Sequence, residues 1–148
     1  LLLFSMAFTY ILGTLLCRRL LLRFGVPRTV AIGGGLSLVG GCWILLNTWL
    51  GWQSVVGLMG PFYLFVLAHG IHQPCGQSGA VGPFPKAAGA ASALGGFLMM
   101  VIAFSTGLWL GTAKDGSAIP MVQSIAFWAV LTALSAWLLV LRRGGPRV

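Results

Sequence analysis

Acidic side chains are all but missing from this chain: Asp115 is the only one in 148 residues, against nine Lys and Arg. Charge of either sign is scarce, at 7% of residues. A soluble domain of this size needs more charged surface than that, so a soluble globular fold is excluded. Without carboxylates, paired-acid catalysis and hard-metal sites lose their ligands and bases. Nine cations might suggest a nucleic-acid partner. They fall, however, in three short clusters between apolar runs, which is a membrane pattern and not a phosphate-binding face. Cysteine is sparse too. Cys17, Cys42 and Cys75 lie in or beside apolar runs, without metal-type spacing and without the even count of a disulfide framework. They read as small buried thiols.

What is present is apolar: 58% hydrophobic residues and a mean hydropathy of +0.98. The class is an all-α integral membrane protein. Chain opening at Leu1 has no basic n-region and no small-residue cleavage site, so it does not read as a signal peptide. It reads as a chain cut from something longer.

Five runs are long enough to cross a bilayer, at 1–17, 29–46, 54–81, 87–111 and 119–141, in one transmembrane domain spanning 1–148. The first ends at Arg18, Arg19, Arg23 and Arg28, with Gly25 and Pro27 as breakers. The second repeats small residues at Gly33, Ser37 and Gly41, which lets helix backbones approach closely. Trp49 and Trp52 follow as an interfacial belt. Ala88, Ser92 and Gly96 give the fourth run another small-residue face, expected to pack tightly. A turn at Asp115-Gly116 precedes the fifth run, whose scattered polarity (Gln123, Ser124, Thr132, Ser135) is read as lipid-facing. The tail carries Arg142, Arg143 and Arg147. Cations follow the first, third and fifth runs, and the other loops carry no net charge. The positive-inside rule therefore places the N-terminus outside and the C-terminus in the cytoplasm.

The third run is the exception among apolar neighbours. Counting about 1.5 Å per residue, His69 lies roughly 22 Å from Ser54 and roughly 25 Å from Lys86, near mid-membrane. On a helical wheel Phe62, Phe65, His69, His72, Gln73, Gly76 and Gln77 share one arc of about 140°. Leu64, Leu67, Ile71 and Cys75 point the other way. Pro74 is expected to kink the helix beside this face. Polar residues at that depth face a bundle interior or a water-filled cavity. Each residue alone fits interhelical hydrogen bonding as well as cavity lining. The stripe as a whole reads as a cavity wall.

Other chemistry finds little footing. His69, His72 and Cys75 are spaced i, i+3, i+6, yet Cys75 leaves the arc and no carboxylate lies in any run, so no metal or other cofactor is assigned. No serine is paired with an upstream base and carboxylate, and the chain is not read as an enzyme. Gly33-Gly34-Gly35 lacks the strand-to-helix setting of a phosphate loop.

Two segments carry a resemblance. Residues 13–25, Gly-Thr-Leu-Leu-Cys-Arg-Arg-Leu-Leu-Leu-Arg-Phe-Gly, resemble the loop motif Gly-x-Leu-x-Asp-Arg-x-Gly-Arg-Arg of the major facilitator superfamily. Gly13, Leu15 and Arg18 match, whereas Cys17 replaces Asp and Leu20 replaces Gly. Residues 82–97, Gly-Pro-Phe-Pro-Lys-Ala-Ala-Gly-Ala-Ala-Ser-Ala-Leu-Gly-Gly-Phe, resemble the Phe-Pro-x-x-Ala-Gly-x-Ala-Ser-Ala/Ser-Leu segment of its bicyclomycin and chloramphenicol resistance type of multidrug antiporter. The resemblance implies a partial C-terminal half of a major facilitator fold, its five transmembrane helices being the eighth to twelfth of twelve. It implies proton-coupled efflux of drug-like small molecules by alternating access in a bacterial inner membrane. Gly13, Arg18, Arg23 and Gly25 would form the conformational loop, the third run would line the cavity, and the N-terminal half would be the missing partner. The competing reading is a self-contained five-span scaffold or regulatory protein without transport.

Orientation can be tested directly. In a background lacking Cys17, Cys42 and Cys75, single cysteines at Thr48 and Ser117 should react with a membrane-impermeant thiol reagent added outside, and one at Arg143 should not. The opposite pattern would reverse the topology.

Overall fold

The structure, a computed structural model, describes residues 2–52, 54–113 and 115–142, and among these it is helical apart from short turns. Helix α1 runs Leu2–Trp49, α2 Val55–Val81, α3 Ala88–Thr112 and α4 Ile119–Leu134, with a 3-10 turn at Pro85–Ala87 and a π-helical continuation at Ser135–Leu141. Lys114, Arg143 and Arg147 lie outside the described residues.

Among the described residues four helices are long and apolar enough to cross a membrane: Phe4–Trp49, Val55–Val81, Pro85–Thr112 and Ile119–Leu141. Five separate spans were expected, and the difference lies in the first two runs, which form one helical element. Gly25 is its only non-helical residue, with φ 73° and ψ 175°. That backbone region is open essentially to glycine alone. Pro27 then sets the φ of a new first turn, and the Thr29 hydroxyl donates to the Gly25 carbonyl at 2.7 Å. The chain changes direction without needing a loop.

Contacts with α2 show how far it turns. Along the arm 2–24, Ser5 bonds Tyr63, Gly13 meets Gly70 and Cys17 meets Cys75, so both numbers rise together. Along the arm 26–49, Gly33 meets His72, Gly40 meets Phe65 and Asn47 Nδ2 donates to the Gly57 carbonyl at 2.8 Å, so one number rises as the other falls. A straight helix of 48 residues would measure about 72 Å, and could not touch α2 near residues 61–63 from both ends. The two arms are antiparallel, and α2 packs against both.

Glycines make these approaches possible. A Cβ on Gly70 would lie 2.6 Å from the Tyr10 carbonyl oxygen, and one on Gly40 would lie 2.9 Å from the Phe65 nitrogen. Helix α4 joins on the far side of the second arm. There a Cβ on Gly41 would come within 2.5 Å of the Ala129 methyl, and one on Gly34 within 2.9 Å of the Ala136 methyl. Trp137 Nε1 adds a bond to the Ala31 carbonyl at 3.0 Å. Val122, Ala126, Ala129 and Ala133 are buried along this seam. The fifth run, expected to face lipid, instead buries one side in this seam, while Phe127, Val130, Leu134 and Leu138 stay exposed on the other.

Helix α3 behaves in the opposite way. None of its residues is buried, and Phe97, Met100 and Phe104 are 64%, 66% and 73% exposed. Among the described residues the expected tight packing of this helix is absent: a Cβ on Gly89, Gly95, Gly96 or Gly107 would meet nothing within 4 Å. So much exposed apolar surface suits lipid and not water. The turn before α4 is polar. Asp115 Oδ1 accepts from the Ser117 amide at 2.8 Å and hydroxyl at 2.7 Å, which holds its carboxyl below the usual carboxylate range.

The glycine seams predict unequal substitutions. Gly70→Ala should destabilise the protein by about 1–3 kcal/mol through overpacking. Gly107→Ala, which meets open space, should be neutral or stabilise by up to about 1 kcal/mol. Thermal unfolding in mild detergent measures both, and equal shifts would contradict the packing described.

Candidate functional site

Helix α2 starts cleanly: the Ser54 hydroxyl caps it by accepting from the Gly57 amide at 3.1 Å, and it continues through Pro61 and Pro74 without interruption. Its two faces separate as the wheel predicts. Ile71 and Cys75 are buried in the core beside Cys17. On the other face His69, Gly76 and Gln77 are exposed, while Phe62, Phe65, His72 and Gln73 are half-buried.

That polar face divides into two groups. Phe62 and Phe65 stack on each other, with centroids 6.4 Å apart, and Phe65 lies against Gly40. His69 packs its ring on Tyr10 of the first arm, 5.9 Å between centroids. These three stand outside the cleft that the rest of the stripe borders. His72, Gln73, Gly76 and Gln77, together with Ser92 and Gly96 of α3, border a space of about 260 Å³. Two sets of residues singled out from sequence thus meet in one place. Ala88 does not border it.

His72 is the hinge of the arrangement. Its ring lies against Gly33, where a Cβ would be 3.1 Å from Cε1. Among the described residues its buried Nε2 finds no hydrogen-bond partner of good geometry. Such an atom stands out, because buried polar groups are nearly always bonded. His72 and Gly76 also border a second space of about 600 Å³ on the other side, shared with Trp128, Thr132 and Ser135 of the last helix. From the sequence Thr132 and Ser135 are expected to face lipid and Trp128 is not singled out, whereas all three border this space. Their spacing, i, i+4, i+7, puts them on one helical face, and that signal was available.

The site has hydrogen-bonding amides, a hydroxyl and an imidazole, but no fixed charge. It can bind and orient an uncharged or weakly polar solute, and the imidazole can take up or release a proton. His69, His72 and Cys75 do not converge on a common point, since Cys75 turns into the core and His69 turns to Tyr10.

The residues of the loop motif serve different purposes. Gly13 is a packing glycine against Gly70, and Gly25 makes the reversal. Arg18 and Arg23 are exposed, with the Arg23 guanidinium 5.2 Å from the Phe24 ring centre. Comparison with protein-family models, curated proteins and solved structures finds no match to the chain. The likeness to major facilitator carriers rests on the two sequence segments alone.

Accessibility checks the site. In a background without the native cysteines, cysteines at Gln73, Gln77 and Ser92 should react readily with a small water-soluble thiosulfonate, and one at Ile71 should stay unreactive. Uniform protection of all four would exclude a wetted cleft.

Proposed function

We propose that the chain is part of a membrane carrier of the major facilitator type and supplies most of its C-terminal half. The carrier exports drug-like small molecules from a bacterial cell in exchange for protons, by alternating access across the inner membrane. The cleft where His72, Gln73 and Gln77 of α2 face Ser92 of α3 carries this reading, because it concentrates the mid-helix polar groups of an otherwise apolar chain.

In this reading the polypeptide crosses the membrane five times. The reversal at Gly25 is the cytoplasmic turn between the first two crossings, and each arm of α1 matches a hydrocarbon core of about 30 Å. Arg18, Arg19, Arg23 and Arg28 gather at that turn, as the positive-inside rule favours, and the C-terminus is cytoplasmic. The missing N-terminal half covers the open side of α3 and closes the cleft, with lipid around the outside. Protons and a drug-like solute are the small partners. A non-transporting scaffold draws on the same open face of α3, with a different occupant.

Drug resistance profiles separate the two. In the full-length protein expressed in a drug-sensitive strain, Gln73→Leu should change which compounds are tolerated at unchanged protein level, and His72→Ala should shift the pH dependence of efflux. A protein that confers no resistance and extrudes no compound, with Gln73→Leu lowering only stability by about 1 kcal/mol, the scale of one interhelical bond, would favour the scaffold.

A further inference from the structure

Cys17 and Cys75 stand apart from the polar face. The first arm of α1 crosses α2 at Gly13 and Gly70, where a Cβ on Gly70 would lie 3.0 Å from the Gly13 Cα. With no side chain on either residue, the two backbones touch. About one turn further along, the thiols meet, Sγ to Sγ 3.6 Å. They are 1% and 4% exposed and pack with Ile71. Leu16, Leu20 and Val30 cover them from both arms of α1. The Cys17 thiol also lies 3.5 Å from the Ile71 carbonyl oxygen, to which it donates. Cys42, by contrast, is exposed and has no thiol beside it.

We propose that Cys17 and Cys75 form a redox modification site, at which a lipid-soluble quinone oxidises the pair to a disulfide tying the first arm of α1 to α2. Two S–H bonds break and one S–S bond forms. The two electrons and two protons pass to the quinone, which leaves as the hydroquinone. Reactants and products are all uncharged, as an apolar surrounding requires, since a charge left there would be costly. Reaching a bond of about 2.05 Å asks the sulfurs to approach by roughly 1.5 Å. Side-chain rotation and a slight slide at Gly13 and Gly70, where no side chain obstructs, provide that movement. Water-borne oxidants act on exposed thiolates, which this pair does not offer. Cys75 also borders the space of about 600 Å³ together with Val30 and Gly76, by which an oxidant dissolved in the hydrocarbon can approach the pair. The reverse step takes two electrons and two protons from a dithiol or a hydroquinone.

The test uses the whole chain in vesicles of phosphatidylethanolamine and phosphatidylglycerol. After treatment with a fully ring-substituted benzoquinone, the protein is denatured and its free thiols are alkylated. Alkylated cysteines should fall from three to one, with the remaining label on Cys42. Peptides carrying Cys17 and Cys75 should stay joined until a reductant is added. Cys17→Ser and Cys75→Ser variants should each keep both remaining thiols free. Three alkylated cysteines after quinone treatment would overturn the proposal, as would loss of thiols that persists in the single-serine variants. Bridging by molecular iodine but not by the quinone would overturn the oxidant assigned.

Discussion

Backbone-to-backbone contact at glycine is the constraint on which this structure depends. In lipid, helices gain nothing from hiding apolar side chains from one another, so association rests on close packing and on the few interhelical hydrogen bonds. Here α2 is held from one side at Gly13 and Gly70 and from the other at Gly33 and Gly40. Both seams belong to one continuous helical element, and they can close together only because Gly25 turns that element back on itself. A single positive-φ glycine therefore underlies the placement of every residue on α2, including the ones that form the cleft.

The polar groups take their positions from this arrangement. His72 lies where it does because Gly33 leaves room for its ring, and Gln73 and Gln77 point away from the two seams because Ile71 and Cys75 point into them. The cleft is a by-product of packing on the opposite face. Its borders are unequal. The α2 side is fixed by α1, whereas the α3 side belongs to a helix that buries nothing within the chain.

Much of this was legible in the sequence, and the reasons differ by element. The division of α2 into a core face and a polar face follows from helical periodicity, which is local. The break at Gly25 and Pro27 after the first run was equally visible, but a glycine and a proline spaced this closely can stop a helix or turn it within one residue. Only the tertiary contacts decide which. The seam of α4 was missed because alanine and glycine carry no polarity signal. Ala126, Ala129 and Ala133 look like generic membrane residues until Gly34 and Gly41 are seen opposite them. For α3 the small-residue pattern is real, but a pattern that permits close packing does not supply a neighbour. The pairing of Cys17 with Cys75, 58 positions apart, is a property of the reversal and has no local signature.

The position of α4 bears on the order in which the helices come together. It packs on the second arm of α1, and α3, which precedes it in the chain, takes almost no part in that contact. The bond between Ala31 and Trp137 spans 106 positions, against 58 for the meeting of Cys17 and Cys75. Closing the longer loop costs more chain entropy, so α4 docks on a pair of helices whose nearer contacts can form without it. Whenever α4 is undocked, Gly34 and Gly41 lie along an uncovered groove, an open seam to which another alanine-rich helix could bind.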